Sequence, residues 1–249
     1  MLNMMGDISG MTAIAINLVA MASVLATSLR RRVVLAGAAG AWIGLATGLG
    51  AAGALTFTPG QPVPLIGLMA AAPVIATAAC WFWVPGFRDA LMALPMPMLI
   101  RLDVLRVIGA LFLSLAAVGR LSGPFPYSAG LGDIITGVLA IPVARAAERG
   151  AGRVGLWNAF GALDLVAAIG LGLASAQGSP LHLIDAGVGS QAMQFLPFSH
   201  VPTVLVPFYL ITHGVVAAQL ADRRRRQRPS GAASEDARFG AHAPNTARN

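Results

Sequence analysis

Seven stretches of this chain are long enough and poor enough in charge to cross a bilayer as helices, and that fact limits everything else it can become. A helix rises about 1.5 Å per residue, so about 20 apolar residues span the hydrocarbon core. Runs of that kind occupy residues 8–29, 33–57, 65–84, 101–119, 127–147, 153–175 and 199–221. Helix breakers separate them: Arg30-Arg31-Arg32, Thr58-Pro59-Gly60-Gln61-Pro62, Pro85-Gly86, Gly123-Pro124-Phe125-Pro126 and Gln177-Gly178-Ser179-Pro180. Composition agrees, since 56% of the 249 residues are hydrophobic and only 11% charged. A water-soluble domain carries about 25% charge. The expected fold is an all-α transmembrane bundle of seven helices over residues 1–221. A basic tail, 222–249, is too poor in apolar residues to fold.

The net charge of +7 could suggest a nucleic-acid partner, but its distribution points elsewhere. All 17 basic residues are arginine, and most fall where alternate loops would lie on one side of a membrane. Positive charge collects on cytoplasmic loops. Placing the N-terminus outside puts Arg30, Arg31, Arg32, Arg88, Arg101, Arg145, Arg149, Arg153 and the tail inside, and leaves only Arg120 on an outer loop. The C-terminus is then cytoplasmic, and the predicted location is the cytoplasmic (inner) membrane, crossed several times. The first apolar run precedes its positive charges, the reverse of a cleavable signal peptide. Base-reading or stacking groups are missing from the basic tail, so no nucleic-acid partner is expected. The bilayer, a small solute or proton, and other membrane subunits are the expected partners.

Small residues permit close helix approach inside a bilayer, where water does not drive association. Gly40, Gly44 and Gly48 form such a stripe, extended by Ala36 and Ala52. Three later stripes mix small and polar residues at helical spacing: Asp103, Arg106, Ala110, Ser114, Ala117; Ala129, Asp133, Thr136, Gly137, Ala140, Ala144; and Asn158, Gly161, Asp164, Ala168, Gly172, Ser175. A polar group facing lipid costs at least about 2.5–3.5 kcal/mol, so these faces should point into the bundle. Phe87, Leu91 and Leu94 share one side of a short stretch between Pro85 and Pro97, the pattern of a helix lying along the interface. Cys80, the one cysteine, sits beside Trp81 and Trp83 and reads as a packing residue.

The candidate functional residues are the ionisable and polar groups that orientation does not explain: Asp103, Arg106, Asp133, Asn158, Asp164, Tyr209 and His213. Asp103 and Arg106, spaced i,i+3, can neutralise one another. Counting along the spans places them toward the cytoplasm, with Asp133 and Asp164 farther out and no arginine at their depth. An ionised carboxylate there is costly, so the pair is expected to hold or exchange a proton. Pro207 removes a helix hydrogen bond to Thr203 ahead of Tyr209 and His213, which share a face. His200 reads as a solvated histidine at a helix start.

Gly130-x-x-Asp133 and Gly161-x-x-Asp164 echo each other on neighbouring spans of opposite direction, as an inverted repeat would. Gly130-Leu131-Gly132-Asp133 also resembles the Gly-x-Gly-Asp signature of intramembrane aspartyl proteases, the presenilin and prepilin-peptidase families. That resemblance implies a second aspartate activating water with Asp133, a role open to Asp164 or Asp103. The order differs from presenilin, because Asp164 follows the signature. Over 101–220, Arg106-x-x-Gly109, Gly119-x-Leu121, Gly130-Leu-Gly-Asp133, Trp157-Asn158-x-x-Gly161-x-x-Asp164-Leu165, Pro202, Val206-Pro207 and His213 resemble an uncharacterised bacterial polytopic integral-membrane protein family, to which no activity attaches.

Three functions stay open on the sequence. One is a small carrier or permeation protein handling protons or cations at Asp133 and Asp164. Another is a non-catalytic accessory or assembly subunit. The third is an aspartyl hydrolase. No cofactor and no metal is expected: the chain has no His-Glu-x-x-His string, and its four histidines are scattered. Absence of lysine removes the retinal Schiff base and the phosphate-binding Gly-x-x-x-x-Gly-Lys loop.

Overall fold

A computed structural model describes residues 29–58, 63–149 and 153–227. The first expected span, 8–29, lies outside these residues but for its end, as does the tail beyond 227. Within them the chain is all-helical: α1 (Leu29–Ala51), α2 (Leu65–Trp83), α3 (Phe87–Met92), α4 (Met96–Leu102), α5 (Ala110–Ala117), α6 (Pro124–Glu148), α7 (Val154–Ser175) and α8 (Val206–Gln227). A 3-10 segment, Asp103–Gly109, joins α4 to α5, and a π-helical turn, Val201–Leu205, leads into α8. Among the described residues, four helices are long and apolar enough to cross a membrane: Leu65–Trp83, Pro124–Glu148, Val154–Ser175 and Val201–Gln227.

Several boundaries differ from expectation for identifiable reasons. Gly123 adopts φ 74°, open to glycine, and a Cβ there would sit 2.6 Å from the Ala186 Cβ. Pro124 and Pro126 then occupy the first turn of α6, where the missing N–H groups cost nothing, so the helix starts before residue 127. At the other end of the chain α8 runs past Ala221 to Gln227, so the helix includes the first arginines of the expected tail. Asp222 accepts a 2.9 Å hydrogen bond from Arg226 one turn later, a favourable i,i+4 pairing.

The fourth span departs most. Helical backbone begins at Met96, not 101, and its middle turns are 3-10. Side chains at i and i+3 eclipse in a 3-10 helix. The buried face therefore runs Asp103, Arg106, Gly109 and on to Phe112 and Leu115, while Ala110, Ser114 and Ala117 of the expected stripe are exposed. The other two polar stripes do turn inward. Ala129, Thr136, Gly137, Ala140 and Ala144 on α6 are buried, as are Asn158, Gly161 and Ser175 on α7, with Asp133, Asp164, Ala168 and Gly172 half-buried.

The glycine stripe on α1 faces none of the described residues. Added Cβ atoms at Gly40, Gly44 and Gly48 would meet nothing within 4 Å among the described residues. The opposite face of α1 does the packing: Ala46 and Trp42 join Ile66 and Met69 of α2 and Val204 of the π turn. The indole Nε1 of Trp42 donates to the Thr203 carbonyl at 2.9 Å, the same carbonyl that Pro207 leaves without its helix donor. Between Pro85 and Pro97, Leu91 and Leu94 pack onto the core as the pattern predicts.

Two apolar clusters cap the bundle interior. One gathers Leu99, Ile100, Ala140, Trp157 and Val215; the other gathers Phe112, Phe125, Ala129 and Phe198. The polar residues of the 3-10 segment, α6, α7 and α8 lie between them along each helix.

Candidate functional site

The site is organised around one guanidinium. Arg106 is 1% exposed. Its Nε donates to Asp133 Oδ1 at 2.7 Å and its Nη2 to Asp164 Oδ2 at 2.6 Å. Nη1 reaches the Gly161 carbonyl at 3.2 Å and His213 Nε2 at 3.1 Å. The guanidinium carbon Cζ lies over the Tyr209 ring, 5.7 Å from its centroid, a cation–π distance. Three helices distant in sequence, α6, α7 and α8, thus meet on one side chain of the 3-10 segment.

This arrangement corrects the expectation that no arginine reaches Asp133 and Asp164. The count along the fourth span started too late. With helix from Met96, Arg106 stands ten residues in, and its long side chain covers the remaining distance. The i,i+3 partner Asp103 is the weaker contact, with its Oδ1 3.6 Å from Arg106 Nη1. His200 also differs from expectation. It is buried, with Nε2 2.9 Å from Thr47 Oγ1 and Nδ1 3.1 Å from the Pro197 carbonyl, because α1 packs over it.

Glycines make the contacts geometrically feasible. A Cβ on Gly132 would lie 1.8 Å from Asp164 Oδ1, and one on Gly109 would lie 2.4 Å from the Asp133 Cβ. Gly161 leaves room for the His213 ring, 2.6 Å from where its Cβ would stand. Gly130 faces the Gly109 carbonyl at 3.0 Å. Both glycines of Gly130-Leu-Gly132-Asp133 are therefore accounted for by packing. The echoed Gly-x-x-Asp on α7 has the same layout, with Gly161 one turn before an aspartate that binds Arg106.

His213 is oriented by Asn158. The Asn158 amide donates to the His213 carbonyl at 3.1 Å, which turns its oxygen toward Nδ1 at 2.9 Å. Nδ1 accordingly carries a proton, and Nε2 is left facing two incompatible neighbours. It can accept from Arg106 Nη1, or, with a second proton, donate to Asp103 Oδ1 at 3.2 Å. Asp103 Oδ1 is otherwise buried without a hydrogen-bond partner. Trp157, which sequence reasoning did not place in the site, tilts over the His213 ring at 5.3 Å and donates Nε1–H to the Thr136 carbonyl at 3.0 Å. Its signal was its position next to Asn158.

The charges do not balance. One guanidinium faces Asp103, Asp133 and Asp164. Uncompensated buried charge is expensive, several kcal/mol per ion even after relaxation. Such a cluster must take up protons, at His213 or on a carboxyl, or a cation. A cavity of about 30 Å³ touches Arg106, Asp133 and Tyr209, enough room for a water. A second cavity of about 360 Å³ reaches Asp133 from the side of α2 and is otherwise almost wholly apolar. Asp133 lines both; Asp164 lines neither. No group of His, Cys, Asp and Glu among the described residues has the arrangement of a metal site.

A protein all-helical over its described residues, with membrane-length helices and an arginine–aspartate–histidine cluster between them, is the class that fold and site define. The chain belongs to the family defined by a domain of unknown function, DUF8737, whose model matches residues 63–221 and so includes every member of the cluster. No curated protein and no solved structure matches it.

Proposed function

We propose that this protein is a multi-pass protein of the cytoplasmic membrane, a small carrier or permeation protein with seven spans, N-terminus out and C-terminus in. Protons or cations are handled at Asp133, Asp164 and Asp103, with Arg106 as the fixed counter-charge and His213, held by Asn158 and lying against the tilted ring of Trp157, as a second proton acceptor. The observation that carries this reading is the charge deficit: three carboxyl groups share one guanidinium in a buried site. Protonation of His213 Nε2 would exchange its contact with Arg106 for one with Asp103 and leave Nη1 bound to Gly161 alone. Such an exchange keeps α8 tied to the 3-10 segment but moves the tie from Arg106 to Asp103, one turn earlier, which is how a proton could alter access to the interior.

Solute-dependent proton flux in proteoliposomes tests the proposal. Flux should be lost in the double variant Asp133→Asn, Asp164→Asn; wild-type flux in that variant would end it. One observation favours a second reading, an accessory subunit whose polar residues only fasten helices: every nitrogen of Arg106 is already engaged. That role predicts lower stability in the same variant and no flux in the wild type. The hydrolase reading draws less support, because its two aspartates need to share a water and here a guanidinium stands between them.

A further inference from the structure

The 360 Å³ cavity lies between α2 and α7, floored by the Val201–Leu205 turn and the start of α8. Its volume is within the range of small-molecule pockets, roughly 300–1,000 Å³. Val74, Phe125, Ile169 and Met193 are among its apolar lining residues. Ile75, another lining residue, is also exposed at the surface of the described helices.

Against this apolar wall two polar groups stand out. Asp133 is the most accessible carboxyl of the cluster, its side chain 16% exposed against 7% for Asp164 and 2% for Asp103. Oδ1 is taken by Arg106, and Oδ2 has no hydrogen-bond partner among the described residues. The other group is Gln194, 3% exposed, whose Oε1 accepts from the Phe57 N–H at 2.9 Å while its Nε2 has no partner. Gln194 follows Met193, which packs with Phe125. Asp133 is eight residues further along α6 than Phe125, about 12 Å at helical rise. An elongated apolar chamber thus has an orphan N–H donor toward one end and a carboxylate oxygen toward the other.

We propose that the cavity binds an apolar ammonium: a compact hydrophobic body bearing a protonated amine that donates to Asp133. The charge deficit selects this chemistry. An anion would add to the excess negative charge, and a neutral molecule would leave it uncorrected. A ligand long enough to carry an oxygen at its far end meets the Gln194 N–H. This deepens the carrier proposal, on which it rests, by naming the class of solute.

The test uses the full chain in lipid nanodiscs and two cage-shaped probes, adamantylamine and its neutral counterpart adamantanol, measured by equilibrium binding. The amine should bind saturably and at least about tenfold more tightly than the alcohol. Asp133→Asn should abolish that preference, and Gly172→Phe should abolish binding of both. A first side-chain carbon at Gly172 has ordinary contact with Phe125 at 3.5 Å, so the ring of the new residue would project into the chamber. Because Asp133 also holds Arg106, thermal unfolding accompanies each variant; Gly172→Phe, away from Arg106, carries the test if Asp133→Asn does not fold. Equal affinity for the two probes, or amine binding that survives Gly172→Phe, overturns the site. Amine binding in wild type without proton flux in proteoliposomes removes transport and leaves the site. Flux without amine binding removes the site and leaves transport.

Discussion

Glycine is used in opposite ways in two parts of this molecule. On α6, α7 and the 3-10 segment, Gly109, Gly132 and Gly161 stand where a side-chain carbon would collide with Asp133, Asp164 or His213. On α1, Gly40, Gly44 and Gly48 keep the stricter four-residue repeat and touch nothing among the described residues. Among the described residues, the irregular set is the one packed tight. What separates them is a polar partner on the facing helix: a carboxylate or imidazole that must reach Arg106 dictates where backbone has to make way.

The most severe way to break the tight region is Arg106→Leu. It leaves three carboxyl groups without a counter-charge, and removing one partner of a buried ionic network costs about 3–5 kcal/mol. Monodisperse yield and thermal unfolding in detergent should both collapse. Next is Gly132→Ala, whose new carbon would lie 1.8 Å from Asp164 Oδ1. Overpacking of this kind costs about 1–3 kcal/mol, read as a lower midpoint of thermal unfolding. Trp157→Phe keeps the ring over His213 and removes only the donor to Thr136, for about 1 kcal/mol by the same measurement. Smallest of all should be Gly44→Ala, where no described residue would meet the new carbon within 4 Å and the better helix propensity of alanine predicts no loss or a gain of up to about 1 kcal/mol. Equal losses from Gly44→Ala and Gly132→Ala would erase the distinction between the two regions.

How far the sequence could be read follows from the same contrast. Helix existence was legible because runs of about 20 uncharged residues have few other solutions. The inward faces of α6 and α7 were legible because both are regular α-helices, so Ala129, Thr136, Ala140, Asn158 and Gly161 share their faces at the expected spacing. The fourth span was not, since nothing in Asp103–Gly109 announces a 3-10 geometry. Wrong period and late start together hid the reach of Arg106 to Asp133 and Asp164. The members of the cluster were all named from their chemistry, but their pairing depends on which residues lack a side chain opposite them. Gln194 escaped notice because it ends a short 3-10 turn, Gln191–Gln194, whose packing against Phe57 has no local signature.

With one arginine against three carboxyl groups, one buried and two half-buried, the site is expected to hold an exchangeable proton. Infrared difference spectroscopy of the purified protein in buffer free of metal cations, near neutral pH, tests it directly. The prediction is a protonated-carboxyl stretch, shifted in heavy water and lost or reduced in Asp133→Asn or Asp164→Asn, or else an imidazolium signature that disappears in His213→Gln. A spectrum with neither signal, three ionised carboxylates and a neutral imidazole would contradict it.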